Sequence, residues 1–456
     1  MWKYMVLSWT MICAVVWGSP NGLDASFGTK GKAFTIVQND HYGGINAITI
    51  HDNGKIYVAG TVATGSTGSD RQFGVACYGQ DGKLDSNFGF DGTTIIDDFR
   101  QNQNLYINSA TSITQDSAGK LVIAGISLNR AMSPKFDFAL VRISEKNGTK
   151  DISFGERGDG IVITDIWGGD DLARGIAVQK NKKIVVAGTV ESRSGQKHMG
   201  IVRYEDNGSL DGTFGSNSIA ELMMDGSGAS AVAIQEDGKI VAAGWGPNAQ
   251  SGNPEFRLLR LLESGAIDES FGNDGNVTTS IGSSEDHARA LAIQKDGKYV
   301  VAGWTNRIDN FGNSLEDMVV VRYKTDGAID TTFGTDGIVR VSEGNNSIEA
   351  HGVAVQNDGK IVVVGFYEDS TARKFMITRL LSDGRPDTTF GPDGRIVTDV
   401  GANGGAAYGG VAIQNDGKSI AAGSSDEGNG EGFTMLRYDA NGMMQTVLAP
   451  LYYLLQ

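Results

Sequence analysis

The eight letters DTTFGTDG at residues 330–337 return as DTTFGPDG at 387–394. Looser copies begin at Asp24, Asp85, Asp151, Asp211 and Asp268, and two closer ones at Asp330 and Asp387. Their phenylalanines are Phe27, Phe88, Phe154, Phe214, Phe271, Phe333 and Phe390, with gaps of 61, 66, 60, 57, 62 and 57 residues. No other feature constrains the fold as strongly. Each period is one supersecondary unit that must bury its apolar face against neighbours.

Three further segments recur within the period. A short apolar stretch ends in Gln, as in GIAVQ (175–179) and ALAIQ (289–293). A tight turn then leads to an apolar run such as KIVVAG (183–188), and a third run such as MVVVRY (318–323) precedes DxxFG. A fourth follows the motif, as in GIVIT (160–164). Four short Val- and Ile-rich runs punctuated by Asp-Gly or Asn-Gly predict four antiparallel strands per unit. The DGK turns are expected to be two-residue hairpins with positive φ at both central residues. Asn181-Lys182-Lys183 breaks that pattern and should be the weakest turn.

The middle strands are continuously apolar, so both of their faces must be covered by neighbouring sheets. The chain opens with a lone fourth-strand segment (23–37) and closes with strands one to three of a unit (407–438). These pieces complement each other. The expected fold is all-β: a seven-bladed β-propeller of four-stranded antiparallel blades, closed by an N-terminal outer strand that completes the last blade. Its units start near 23, 84, 150, 210, 267, 329 and 386 within one domain at 23–442, and an apolar tail follows at 443–456. Residues 1–19 read as a secretory signal: Lys3, then an apolar run from Tyr4 to Trp17 too short to cross a bilayer. Removal of the signal takes Cys13 with it, leaves Cys77 without a disulfide partner and leaves no membrane span. The mature chain is expected to be an exported monomer.

The repeat pattern, AIQxDGKIVVAG followed by VRYxxDGxLDxxFGxDG, resembles the delta-60 repeat of exported bacterial β-propellers and, more distantly, NHL-like blades. The resemblance runs from Leu23 to about Gly442. It implies a propeller used for binding or scaffolding, and it brings no catalytic residues with it.

The net charge of −15 and pI near 4.8 argue against nucleic acid as a partner, since phosphate recognition needs a basic stripe. Arg203, Arg260, Arg322 and Arg379 each stand eight residues before Asp211, Asp268, Asp330 and Asp387, an offset that predicts a charge-assisted pair, single or bidentate, across each corner. Cys77 occupies the arginine position of the first unit, so Asp85 should lack that partner. Strand order puts the uniform DGK turns and DxxFG corners on one face. The variable connections 126–137, 245–255, 304–317 and 424–432 fall on the other, where recognition is usually built.

On that long-loop face Trp245, Trp304 and Phe366 follow the second strand; they either cover the core or form an aromatic platform. Asp170, Asp171, Glu285, Asp286 and Glu349 precede first strands near the channel mouth, as a solvated acidic rim or a calcium site. No metal centre, other cofactor or catalytic residue is assigned: His41, His51, His198, His287 and His351 share no metal spacing. The leading expectation is a non-enzymatic binding or scaffold module for protein or glycan. The rival is a propeller hydrolase or lyase using carboxylates and histidines at the channel mouth.

Overall fold

The computed structural model describes residues 22–442 apart from 38–41, 65–69, 98–107, 130–134, 223, 283, 310 and 429. The leader at 1–19, the tail at 443–456 and His41 lie outside the described residues. Seven four-stranded antiparallel sheets are arranged as blades at 43–96, 108–164, 172–222, 228–279, 286–341, 347–398 and 405–438. The seventh is completed by Lys32–Thr35, which pairs with Glu431–Tyr438 in the register Ala33↔Met435. The ring therefore closes with a strand from the other end of the chain. No helix among the described residues is long and apolar enough to cross a membrane.

Burial follows the apolar pattern. The second strand of blade three, Ile184–Glu191, is buried at every position because the sheets on either side cover both its faces. Each wholly buried Val or Ile there stabilises the fold by roughly 1.5–3 kcal/mol. Cys77 is one of these core residues, and burial pushes its thiol up to about 11, which makes it an inert side chain.

The turns differ from expectation. At Gln235–Lys239 the Gln235 N–H donates to the Lys239 carbonyl and the Gly238 N–H to the Gln235 carbonyl. Only Gly238 has positive φ (87°), so the loop has three residues, a tight turn followed by a glycine bulge. Asp237 keeps ordinary φ; its carboxylate accepts the Lys239 N–H at 3.2 Å. In blade three Lys182 takes the left-handed position, with φ of 72°. The long-loop connections are also shorter than their sequences predict. Ile240–Pro247 and Pro254–Leu261 absorb nearly half of 245–255, and Tyr299–Ile308 and Ser314–Tyr323 most of 304–317. Trp245, Trp304 and Phe366 lie inside their strands, paired with Phe256, Met318 and Phe375.

On the turn face, the Arg–Asp offset is a contact. Nε of Arg203, Arg260, Arg322 and Arg379 donates to the Asp carboxylates at 2.6–2.8 Å. The contact is single rather than bidentate, because Nη1 is turned to a main-chain carbonyl of the next blade, as in Arg260 to Thr325 at 2.5 Å. The guanidinium also lies over the motif phenylalanine, 4.4 Å away for Arg203 and Phe214. Arg142 Nε pairs with Asp151 in the same way at 2.7 Å, and Arg437 reaches Asp24 across the closure seam at 2.7 Å through Nη2 instead. The turn lysine of every blade reaches the same carboxylate, from Lys55–Asp85 at 2.6 Å to Lys418–Asp24 at 2.9 Å. Burial opposes ionisation of Asp24, but hydrogen bonds from Lys418 and Ser26 outweigh it and hold the carboxyl well below its usual range.

All seven motif phenylalanines are fully buried. A glycine of the following blade sits against each ring; a Cβ on Gly82 would come within 2.7 Å of Phe27. In blade one, where Cys77 replaces arginine, Asp85 keeps the lysine and the Asn87 hydrogen bonds but has no guanidinium, and the Tyr57 hydroxyl donates to Glu145 O of the next blade at 3.0 Å. A phenol has taken over the inter-blade bond.

Candidate functional site: the mouth of the central channel

The innermost strand of each blade carries a β-bulge near its long-loop end. The register shifts between Ile45/Ala47, Ala110/Ser112, Ala173/Gly175, Ala229/Ala231, Ala288/Ala290, Ala350/Gly352 and Ala406/Gly410. A bulge leaves one residue unpaired and re-aims its side chain. Here the skipped residues, Asn46, Thr111, Arg174, Ser230, Arg289 and His351, line a cavity of about 500 Å³ on the ring axis. In blade seven the bulge is wider, and Tyr408 and Gly409 line the same space. Two positions further along, every blade presents an aliphatic residue, from Ile48 to Val411. A polar ring thus sits above an apolar one. A second cavity of about 440 Å³, between blades seven and one, shares Asn46 and Tyr408 with the channel.

The polar ring is not uniform. Asn46 Nδ2 donates to the Ala110 carbonyl at 2.7 Å, and the Thr111 hydroxyl to the Ala173 carbonyl at 2.9 Å, so both are tied to the neighbouring blade. His351 Nε2 lies 3.1 Å from a Glu349 carboxylate oxygen, and its ring stands edge-on to Tyr408 at 4.8 Å. Arg174 Nε, Ser230 Oγ and Arg289 Nε, on three consecutive blades, are buried atoms with no hydrogen-bond partner among the described residues. Neither arginine has an ion pair among the described residues. Burial, and the charge of Arg289 nearby, lower the pKa of Arg174; burial lowers that of Arg289, with Glu349 opposing. In a protein of net charge −15, no acid lines the cavity.

Aromatic rings border the two cations. The Arg174 guanidinium lies 5.6 Å from the Trp245 ring centre. His287 stacks on Trp304 at 4.5 Å and is tilted against Trp245 at 5.5 Å. Trp304 and Phe366 are buried and cover the core, whereas Trp245 is half-buried. Burial, then the Arg289 charge, push His287 down to about 4, so its imidazole is neutral at pH 7. His351 is likewise lowered by burial.

The acidic residues read as a rim are dispersed by the structure. Asp171 and Asp286 are fully buried caps of their inner strands, accepting the Ile166 N–H at 2.7 Å and the Ile281 N–H at 2.8 Å. Asp170 accepts the Phe136 N–H at 3.0 Å, Glu285 is exposed, and Glu349 bonds His351. Among the described residues the acids whose oxygens converge within 4.8 Å are Asp137, Asp165 and Asp171, so of the acids read as a rim only Asp171 takes part. Burial, opposed by the Ile166 and Glu191 N–H bonds and reinforced by the charges of Asp165 and Asp137, raises Asp171 to about 7.

Arg174, Ser230 and Arg289 escape a reading based on motifs because they interrupt no motif. The usable signal is positional. The residue nine before each turn lysine runs Asn46, Thr111, Arg174, Ser230, Arg289, His351 and Gly409, six residue types over seven blades in a segment that otherwise repeats.

Six segments, 51–88, 179–214, 235–271, 294–333, 356–390 and 414–444, match the family model described as a domain of unknown function (DUF5122) beta-propeller. Together with the seven blades this makes the chain a β-propeller repeat protein. No curated protein matches the sequence. Similar solved structures include a protein of unknown function from Dyadobacter fermentans DSM 18053, at 12% identity over 74% of this chain and 94% of that one, with a TM-score of 0.41. Polysaccharide lyase Uly1 has 11% identity over 91% and 93%, with a TM-score of 0.46. An alpha-L-arabinofuranosidase from Fusarium graminearum has 9% identity over 89% and 97%, with a TM-score of 0.43. None of them contributes a residue assignment to this chain.

Proposed function

We propose that the protein is an exported binding module of the delta-60 repeat type, taking a protein or glycan at the long-loop mouth of its channel. The leader-like segment at 1–19 supports export. The carrying observation is the bulge ring: one position that takes six residue types over seven blades, presented together on a scaffold that otherwise repeats. A rigid frame with variable side chains at one mouth is the usual construction of a recognition surface. Binding to glycan and peptide arrays should be lost in Ser230→Tyr, which plugs the mouth, and kept in Lys295→Glu on the exposed turn face. Array binding insensitive to the plug, or no binding on either array, rejects the reading.

An enzymatic reading draws on His351, a neutral imidazole in the channel lining, hydrogen-bonded to Glu349. A base of that kind next to a cavity is the minimum for proton abstraction in a hydrolase or lyase.

A further inference from the structure

We propose that Arg174 and Arg289, with Ser230 between them, form a site for the carboxylate or sulfate of an acidic saccharide. This deepens the reading of the channel mouth as a binding surface.

Six arginines on the turn face show how this fold treats a guanidinium. Each has an Asp, a main-chain carbonyl and a phenylalanine face, as Arg322 has in Asp330, Ser382 and Phe333. Among the described residues Arg174 and Arg289 make no ion pair and the Nε of each has no hydrogen-bond partner; the charge of Glu349 reaches Arg289 but not as a contact. Unpaired buried charge is costly, and two such charges close enough to repel are costlier still. An anion arriving from outside would supply the missing counter-charge. The lining supplies none, and burial already lowers the pKa of both guanidinium groups.

The planar donor forks match a carboxylate or sulfate, and the free Ser230 hydroxyl adds a third donor. The half-buried Trp245 face beside Arg174, and the Trp304–His287 stack, offer flat surfaces for a sugar ring. A cavity of about 500 Å³ accommodates one sugar unit.

The test is calorimetric titration of the full chain at pH 7 and low salt with inorganic sulfate, glucuronate and glucose. Sulfate and glucuronate should bind, glucuronate the tighter, and glucose should not. Arg174→Gln and Arg289→Gln should each weaken anion binding by at least about tenfold, while melting no lower than the parent. Arg289→Lys, which keeps the charge and loses the fork, serves if a neutral variant does not fold; it should weaken glucuronate more than sulfate. No heat at millimolar anion, or unchanged affinity in both Gln variants, overturns the site. Tighter binding of hexaglutamate than of glucuronate overturns the saccharide assignment. Array binding that Ser230→Tyr abolishes but the double Gln variant retains would sink this site and leave the binding face standing.

Discussion

Arginines at the two ends of the propeller meet opposite fates. On the turn face Arg322 donates to Asp330 at 2.8 Å, to a carbonyl of the next blade, and lies 4.6 Å from the centre of the Phe333 ring. At the channel mouth Arg289 has no such partner among the described residues. The chemistry is the same and the accounting differs. Charges that hold the ring are satisfied inside the molecule, whereas the channel cations leave their hydrogen-bonding capacity to something that is not part of the chain.

The largest effect should come from breaking the satisfied end. Arg322→Ala leaves buried Asp330 with Lys298 and Thr332 but without its guanidinium, severs an inter-blade bond, and should cost about 3–5 kcal/mol in denaturant unfolding. A change below ~0.5 kcal/mol would mean that the pair contributes only as an exposed one would, and the comparison would fail.

A smaller effect separates the buried acids. Asp330 is held well below the usual carboxylate range, by Thr332, Lys298 and Arg322 against burial, and Asp171 is raised to about 7. Between pH 4 and 7 native Asp171 retains a proton that the unfolded chain has lost. Its contribution therefore falls as pH rises through that window, by about 2–4 kcal/mol. Relative to Asp171→Asn, the parent should lose stability steadily from pH 4 to 7; any offset from the changed hydrogen bonds is independent of pH. A flat difference would show that Asp171 is ionised throughout. Asp330 behaves oppositely, losing its contribution only below pH 4.

The smallest effect tests the irregular turn. Lys182 holds φ of 72° where the other blades place glycine. Lys182→Gly should stabilise by about 1 kcal/mol, read as a rise in the urea midpoint. Destabilisation would place the strain elsewhere.

The turn face was largely legible. Arg203, Arg260, Arg322 and Arg379 recur at one offset from their aspartates, and repetition turns an offset into a contact. Arg142 and Arg437 also pair with a motif aspartate, yet escape the rule: an insertion lengthens the corner of blade two to nine residues, and Asp24 is reached only across the seam. The part played by Tyr57 in blade one has no sequence precedent, since it needs a hydroxyl placed where another blade's guanidinium would be. At the channel the acids stood out as charges near strand starts, but Asp171 and Asp286 turn inward to cap backbone N–H groups.

What the sequence by itself determined is the set of things that repeat: seven units, four strands in each, closure by the first strand, and a charged corner packed on phenylalanine. Only the tertiary structure decided which side chains face the axis. Alternation along a strand assigns residues to faces only while register holds, and an extra residue in each inner strand re-aims the one it displaces. Ring closure then brings seven such residues, far apart in the chain, around one cavity, and there Arg174 and Arg289 become neighbours.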